Sequence, residues 1–461
     1  MTIVLPESAA NGPHAVVVGG SIAGCLAAEV LSQSFPRVTI IEKGDFTEQP
    51  QPRRAVPQEN HVHLLLLRGK QAMGSIFPGL LEELEEAGAV VADLGHDIKW
   101  YQQGHWKERF PTGIHAHYSS RALLDSKIRS HILKNGRITV RADSRALGVE
   151  LAACASGRSL AAVHVESQGQ RERLAARLVV DASGRGSRAS EWLREAGCGE
   201  VEQSLVATRL GYASRIYRRR PEYADRWKVL LVLPSPPVER RMGVISPIEG
   251  DRWLVTTGGW FGDFPRPQAD EFVEFLKGLP VPDIHEVVRD AEPLSDVFGH
   301  NIPGSLWRHY EDLQSLPDGF LVIGDATCSF NPLYSQGMTI CALEAEALRS
   351  RIPKWLDSAI ATRDIQQVFA SIVRPAWEMA NCEDLRFPET NGVRNAALRW
   401  RHWMGAQVAR QSAWHRLTLQ TQVGVSNLVT PPSELYRPQI LLRLPYTRLR
   451  WNKPVNHGMS V

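Results

Sequence analysis

The chain has 461 residues, of which 43% are hydrophobic and 22% are charged. This length suffices for two or three domains or one large composite domain, and the composition is that of an ordinary globular protein. A net charge of +3 is too small to indicate a nucleic-acid partner. The six cysteines lack C-x-x-C spacing, and neither a signal peptide nor an 18-residue apolar run is visible. We therefore expect a cytoplasmic protein with reduced thiols and no transmembrane segment.

The N-terminal stretch HAVVVGGSIAGCLAAEVLSQSFPRVTIIEKG has the pattern of a strand–turn–helix–strand unit. Apolar runs predict strands at 15–18 and 38–41, and an Ala- and Leu-rich segment predicts a helix at 25–34. A glycine-rich turn joins the first strand to the helix. A unit of this length with such a turn is typical of dinucleotide binding.

Each part of that turn has a physical purpose. Gly19 fits the tight turn, Ser21 lies where the backbone approaches a pyrophosphate, and Gly24 lets the helix pack on the strand. The pattern has Gly where this chain has Ser21, a change that adds only a small hydroxyl. Glu42 ends the second strand and is placed to bind a ribose. The turn alone does not distinguish NAD from FAD.

Two later stretches repeat the combination of a buried strand and a polar turn. LVVDASGRGSR, residues 178–188, is an apolar run that enters a glycine-rich turn. In GFLVIGDATCSFNPLYSQGMTICALEAEAL the apolar run 320–323 stops at Gly324-Asp325, and Gly337 opens a long predicted helix. Asp325 therefore stands at the mouth of a strand, close to a helix N-terminus.

These motifs, in this order, resemble the single-component FAD-dependent monooxygenases of the para-hydroxybenzoate hydroxylase type. The stretches RRAVPQENHVHLLLLRGKQAMGSIFPGL, SRALLDSKIR, VTTGGWFGDFP and FNPLYSQGMT are similar to one bacterial subfamily, that of the lasalocid and monensin polyene epoxidases. The resemblance runs from about residue 15 to residue 445. It implies an α/β composite fold, with a Rossmann-like FAD-binding domain containing a parallel sheet, an interleaved antiparallel-sheet substrate domain and a helical C-terminal region.

The implied boundaries alternate between the two domains. The FAD-binding domain takes 14–90, 119–200 and 300–350, the substrate domain takes 91–118 and 201–299, and the helical region takes 351–461. The substrate-domain stretches are β-rich runs separated by Pro and Gly, as expected for an antiparallel sheet.

The resemblance also assigns roles to residues near the cofactor. Arg54 is expected to reach the FAD pyrophosphate, where a fixed charge and a forked guanidinium are suited to the task. Arg121 is expected near the ribityl chain or phosphate, and Asp325 is expected to accept hydrogen bonds from the ribityl hydroxyls. Pro332 is expected to line the flavin face. No catalytic acid or base is assigned.

The helix that opens at Gly337 and Met338 is expected to stabilise the negative charge of reduced flavin through its N-terminus. The middle motif departs from the family, since Ser183-Gly184 stands where many relatives have Asp-Gly, and the acid, Asp181, comes two residues earlier. This departure leaves open how a pyridine nucleotide would reach the flavin.

The activity implied is FAD-dependent monooxygenation, either epoxidation or hydroxylation, through a flavin C4a-hydroperoxide. NAD(P)H is the implied reductant, O₂ the co-substrate, and a hydrophobic polyketide- or terpenoid-like metabolite the substrate. The sequence does not fix the substrate, the choice between NADH and NADPH, or the oligomeric state.

Three alternatives stay open. A flavin-dependent halogenase shares the framework, but the W-x-W-x-I-P string that halogenases usually carry is absent. A lysine positions hypohalous acid in halogenases, and Lys99 lies in a comparable region, although the residues around it are not diagnostic. A FAD-dependent reductase of prenyl substrates and a non-catalytic flavin-binding protein are the others. No metal is expected, because His61 and His63 have no cysteine or carboxylate that completes a ligand set. Trp100, Tyr101, Trp260 and Phe261 are candidates for the pocket lining, although core packing is the better interpretation of each.

Overall fold

The computed structural model describes residues 12–51, 53, 57–154, 157–223 and 225–445. A parallel sheet and a larger, mostly antiparallel sheet form its centre, and helices cover both. The mixed α/β architecture, with a helical C-terminal region, confirms the predicted fold class.

The parallel sheet has five strands in the order β17-β11-β1-β2-β7. Their apolar runs are buried because helices pack on one face of the sheet and a small antiparallel sheet packs on the other. The strands are β1 (His14–Val18), β2 (Arg37–Ile41), β7 (Ile138–Arg141), β11 (Leu178–Asp181) and β17 (Phe320–Val322). Because they are parallel, their carboxyl ends lie at one edge, and the turns after β1, β2, β11 and β17 meet there.

The large sheet has eight strands in the order β18-β16-β12-β15-β14-β13-β4-β5. They are β4 (Ile98–Gln102), β5 (His105–Trp106), β12 (Gln203–Arg218), β13 (Val229–Val232), β14 (Arg241–Ile248), β15 (Arg252–Gly259), β16 (Phe298–Arg308) and β18 (Cys328–Ser329). In its middle Tyr212 lies opposite Gly258 on one side and His300 on the other. The expected boundary at residue 300 falls inside β16, which pairs along its length with β12.

Two small antiparallel sheets complete the β structure of the described residues. One joins β3 (Val90–Asp93) to β6 (His115–Tyr118), and the other orders β10 (Gln170–Ala175), β9 (Gly157–Ser167) and β8 (Ser144–Cys154).

Twelve α-helices are found in the described parts of the chain. They are α1 (Ile22–Ser32), α2 (Leu67–Ile76), α3 (Leu80–Glu86), α4 (Arg121–Lys134), α5 (Ala189–Glu195), α6 (Ala269–Lys277), α7 (Asp283–Val288), α8 (Gly337–Leu356), α9 (Thr362–Asp384), α10 (Ala396–Gln411), α11 (Arg416–Ser426) and α12 (Pro438–Leu441). Within the described residues, none of these helices has the length and apolar character needed to cross a membrane.

Helix α1 begins three residues earlier than the sequence predicts, because Ser21 is its N-cap and the residues after it already have helical geometry. The glycine turn and the first helical turn are therefore the same stretch of chain. This brings the unpaired backbone N–H groups of the helix N-terminus to the strand edge.

Candidate functional site

A cavity of about 720 Å³ lies where the carboxyl ends of the parallel strands face the eight-stranded sheet. Eight of the ten predicted site residues line it, namely Gly19, Ser21, Glu42, Arg121, Asp325, Pro332, Gly337 and Met338. Gly24 lies behind the turn in α1, and Arg54 lies outside the described residues. Motifs from opposite ends of the sequence thus contribute to one cavity.

The turn after β1 requires glycine at two places for different reasons. Gly19 has a φ of +101°, and a Cβ there would lie 2.5 Å from the carbonyl oxygen of Ala182. A Cβ on Gly24 would lie 1.8 Å from the carbonyl oxygen of Gly19. The side chain of Ser21 makes no capping hydrogen bond and lines the cavity instead. The first turn of α1 is therefore open to an anionic ligand.

Glu42 holds the glycine turn in place. One carboxylate oxygen accepts the N–H of Gly20 at 2.6 Å, and the other accepts the N–H of Gly44 at 3.0 Å. The side chain is only 6% exposed and lies on the cavity wall at the end of β2. Further hydrogen bonds to this carboxylate from a ligand hydroxyl remain geometrically open because each oxygen has a second lone pair.

Arg121 connects α4 to the glycine turn. It is the first residue of α4, whose N-cap Ser120 accepts the N–H of Leu123 at 3.1 Å. Its Nε donates to Asp125 at 2.6 Å, and its Nη2 lies 3.4 Å from the hydroxyl of Ser21. Arg121 is also a lining residue of the cavity, and its guanidinium has further N–H donors.

A buried charge network behind Arg121 was not predicted from the sequence. Arg53 donates to Glu59 from Nε at 2.9 Å and to Asp125 from Nη2 at 3.0 Å. Burial acts to raise the pKa of Asp125, but the Arg121 and Arg53 guanidinium groups hold it below its usual value. The four-residue spacing of Arg121 and Asp125 in SRALLDSK was the available signal. The network fixes the Arg121 side chain.

Asp325 follows β17 and is partly exposed to the cavity. Burial raises the pKa of its carboxyl, while Arg121, Arg185 and Arg308 act in the opposite direction. The N-terminus of α8 lies beside it, since a Cβ placed on Gly337 would be 3.6 Å from Asp325 Oδ1. The acid is therefore held at the cavity among three guanidinium groups and a helix N-terminus.

The turn that carries Asp325 depends on a buried acid in α8. Gly324 has a φ of +62°, and its N–H donates to Glu344 Oε2 at 2.7 Å. The other oxygen of Glu344 is buried without a partner in the described structure, and burial raises the pKa of this group to about 8. Glu344 is therefore protonated at neutral pH and acts as a neutral acceptor for the turn.

The loop around Pro332 is fixed from both sides. The Asn331 backbone N–H donates to Ser305 Oγ at 3.0 Å, and its side-chain amide donates to Asp384 at 2.9 Å. The same oxygen of Asp384 accepts Tyr334 Oη at 2.8 Å and Trp260 Nε1 at 3.3 Å. Burial raises the pKa of Asp384 to about 6. This residue, the last of α9, was not predicted.

The middle motif, residues 178–188, lines the cavity with its glycine-rich turn and not with its acidic residue, Asp181. Asp181 is fully buried, and its oxygens accept the N–H of Ser183 at 2.9 Å and the hydroxyl of Ser187 at 2.5 Å. Gly184 and Arg185 after it line the cavity. The displaced acid thus shapes the turn from within and does not reach the cavity wall.

The opposite wall comes from the large sheet and from the segment before α2. His63, Tyr212 and His300 line it, and the Tyr212 and His300 rings are 5.6 Å apart. Burial, together with Arg121, lowers the pKa of His63 to about 4, and burial lowers that of His300. Both imidazoles are therefore neutral at pH 7. No signal in the sequence indicated that Tyr212 or His300 would line a cavity with His63.

The four aromatic residues considered for the lining pack elsewhere. Trp100, Trp260 and Phe261 belong to the core beneath the large sheet, and Tyr101 packs against Trp106. Core packing is therefore confirmed for them. Lys99 is also absent from the cavity lining, and its amine is 2.6 Å from Asp283 Oδ1.

The lining is compatible with a dinucleotide. Two helix N-termini, those of α1 and α8, meet the cavity without side-chain caps. The Ser183 hydroxyl and Gln336 Oε1 are buried polar atoms of lining residues with no partner in the described structure. Such groups normally find a hydrogen-bond partner, and a ligand rich in hydroxyls and phosphates provides partners.

Comparisons with known proteins agree with this geometry. Residues 15–191 match the family described as FAD dependent oxidoreductase. The chain is also 32% identical over 395 residues to Protein Rv3254 of Mycobacterium tuberculosis (strain ATCC 25618 / H37Rv), covering 81% of this chain and 80% of that protein.

Solved structures of lower identity share the fold. The p-nitrophenol 4-monooxygenase PnpA of Pseudomonas putida DLL-E4 aligns with a TM-score of 0.62 at 15% identity, covering 90% of this chain and 98% of that one. PqsL of Pseudomonas aeruginosa, a probable FAD-dependent monooxygenase, gives 0.57 at 19% identity, covering 91% and 100%. The flavin-dependent halogenase CmlS gives 0.63 at 18% identity, covering 95% and 77%.

Proposed function

The chain belongs to the FAD-dependent oxidoreductase family, and on that premise we propose that it is a monooxygenase that transfers one atom of O₂ to a hydrophobic small molecule. The observation that carries the proposal is the cavity of about 720 Å³. It joins the glycine turn, Glu42 and Arg121 to Asp325 and the N-terminus of α8. Bound FAD would supply the oxygen activation and the electron transfer there.

We assign the two halves of FAD to the two ends of this lining. Gly19, Ser21 and the α1 N-terminus suit the pyrophosphate, with Gly24 packed behind them, and Glu42 suits a ribose. Arg121 supplies positive charge beside the turn, and Arg54 is proposed for the same group. These residues bind and orient the cofactor without taking part in bond breaking.

The flavin end is assigned to the segment from Asp325 to Met338. Asp325 has acceptor oxygens for ribityl hydroxyls, and Gly337 and Met338 present the α8 N-terminus, which favours negative charge. Pro332 contributes an apolar surface to the same wall, on a loop that Asp384 holds. We propose that this loop keeps water away from the reacting edge of the cofactor.

The substrate class follows from the remaining lining. Val62, Leu64, Ile302, Pro303 and Phe330 give that part of the wall an apolar surface. With the neutral His63 and His300 imidazoles nearby, the cavity suits an uncharged, hydrophobic molecule. We propose a polyketide- or terpenoid-like substrate that is epoxidised or hydroxylated, with NAD(P)H as the reductant.

Halogenation is the alternative with a named structural relative, CmlS. Halogenases of this type use a lysine to position hypohalous acid, and the lysine considered for that role, Lys99, pairs with Asp283 away from the cavity. This placement favours oxygen transfer. A reductase acting on prenyl chains would use the same cofactor site and differs in the product.

The test begins with the visible spectrum of the purified protein, followed by NADH and NADPH oxidation in air with polyenes, quinones and phenols. Nucleotide oxidation accelerated by one substrate class, with ¹⁸O from ¹⁸O₂ in the product, supports the proposal. A reduced product without ¹⁸O, or turnover that requires halide, rejects it. Asp325→Ala should abolish flavin retention, whereas Asp357→Ala, exposed at the end of α8, should leave it unchanged.

A further inference from the structure

Charge is unevenly distributed along the chain. Residues 396–461 contain nine Lys or Arg and one Glu, a net charge of +8, whereas residues 1–395 contain 44 basic and 49 acidic residues, a net charge of −5. A marked charge asymmetry within one chain indicates an acidic partner for the basic end.

The same region exposes aromatic side chains. Trp400 is 50% exposed and Trp403 is 42% exposed, one helical turn apart in α10. Tyr436 stacks on Trp400 with ring centroids 5.5 Å apart and is 37% exposed. Among the described residues, five of the nine exposed large hydrophobics lie between residues 393 and 442. Exposed aromatic groups this close together indicate an interaction surface.

Arginines lie on the same surface. Arg399 and Arg401 flank Trp400 in the exposed first half of α10, and Arg437 follows Tyr436. The other half of α10 is buried through Met404 and Val408, so the helix is anchored and its N-terminal half projects. We call this surface, formed by Arg399, Trp400, Arg401, Trp403, Tyr436 and Arg437, the aromatic–arginine face.

We propose that the aromatic–arginine face docks the protein on an anionic membrane surface. A lipid interface offers both partners that the face needs, since Trp and Tyr favour the headgroup region and arginines are attracted to anionic headgroups. The net negative charge of the remaining chain is repelled by the same surface, which orients the C-terminal region toward the lipid.

A second copy of this chain, bound through its own aromatic–arginine face, is the other candidate partner, and the charge pattern disfavours it. An isologous contact of that kind would bring arginines against arginines. The membrane proposal does not depend on the reaction at the cavity. A hydrophobic substrate would nevertheless be concentrated in lipid, where a docked enzyme could reach it.

The test uses the full chain and sucrose-loaded vesicles at about 100 mM salt. We compare pure phosphatidylcholine with vesicles that contain about 30% phosphatidylglycerol. Sedimentation should be about tenfold stronger with the anionic vesicles, and quenching by brominated lipid should report aromatic groups at the interface. Trp400→Ser/Trp403→Ser should lose this quenching component and most binding. Arg399→Gln/Arg401→Gln should lower binding about tenfold or more.

Two control variants lie outside the region. Arg171→Gln/Arg266→Gln removes two arginines whose side chains are each 76% exposed, and Leu133→Ser removes a 46% exposed leucine of α4. Both should sediment like the parent protein. Equal binding to neutral and anionic vesicles, or equal binding by all variants, overturns the proposal. Concentration-dependent dimerisation that the Trp400→Ser/Trp403→Ser change abolishes, without vesicle binding, would assign the face to a second copy instead.

Discussion

Gly24 leaves no room for a side chain, although it does not touch the cavity. A Cβ there would lie 1.8 Å from the Gly19 carbonyl oxygen and 3.4 Å from Val17 Cγ1. Gly24→Ala must therefore displace the turn, and we expect a loss of about 3 kcal/mol in unfolding free energy with weaker FAD retention. Urea unfolding and bound-flavin absorbance measure the two effects.

Gly136→Ala is the matched control, because a Cβ at Gly136 meets nothing within 4 Å. It should change the unfolding free energy by less than about 0.5 kcal/mol. Equal behaviour of the two variants would contradict the packing account of Gly24.

Glu344 makes stability depend on pH in a direction unlike that of most acids. Its pKa rises from 4.5 in the unfolded chain to about 8 in the folded one, mainly through burial. Between pH 4.5 and pH 8 the folded protein holds a proton on Glu344 that the unfolded chain has released. The contribution of Glu344 to the free energy of unfolding is therefore full below pH 4.5 and is lost as the pH rises to 8. The loss amounts to roughly 4 kcal/mol.

Glu344→Gln should remove this slope, because the amide is neutral at every pH and its oxygen can still accept the Gly324 N–H. The measurement is the unfolding free energy from pH 5 to pH 8 for both proteins, and we expect the variant to gain relative stability toward pH 8. If the plots of unfolding free energy against pH were parallel for the two proteins, Glu344 would be ionised in the folded protein.

Asp384 joins three elements at the loop before α8. One of its oxygens accepts hydrogen bonds from Trp260 after β15 and from Asn331 and Tyr334 in the loop. Asp384→Ala leaves three buried donors without an acceptor and should cost about 3 kcal/mol or more in unfolding free energy. Asp384→Asn keeps an acceptor oxygen and should cost less. The exposed Glu378 of α9, changed to Gln, is the control.

Thermal unfolding and the near-ultraviolet circular dichroism of Trp260 and Tyr334 distinguish these variants. The loop displacement expected for Asp384→Ala should also raise unproductive peroxide release if the loop excludes water. If Asp384→Ala and Glu378→Gln unfolded at the same temperature, the proposed role of this junction would be wrong.

Elements whose signals are local could be predicted from the sequence. The β1–α1–β2 unit, residues 14–41, and the β17–α8 segment, residues 320–356, each combine an apolar run, a glycine and a helix in one short stretch of chain. The wall formed by Tyr212 and His300 could not be predicted from the sequence. It depends on the pairing of β12 with β16, which are about 90 residues apart in the chain, and this pairing has a register shift between Ala207 and Leu210. Side-chain networks such as Asp384 with Asn331 likewise arise only when distant elements pack.

At the scale of the whole molecule the cavity is shared between the two large sheets. Its lining includes the turns after β1 and β11 on one side and residues of β12 and β16 on the other. A ligand that fills it contacts both sheets, so its binding energy should stabilise them together. A ligand that contacted only the glycine turn, at one end of the cavity, would not stabilise the two sheets together.

FAD should therefore stabilise the apoprotein as a unit. At about 100 times its dissociation constant it adds about 2.7 kcal/mol to the unfolding free energy, and amide exchange should slow in β12 and β16 as well as in β1 and α1. Riboflavin, which lacks the pyrophosphate and adenosine, cannot use the glycine turn or Glu42 and should stabilise far less. Asp325→Ala is the control, and it should lose most of the protection in both sheets. Protection confined to β1 and α1, with equal effects of ADP and FAD, would place only the nucleotide half of the cofactor in this cavity and contradict the assignment of the flavin to Asp325 and α8.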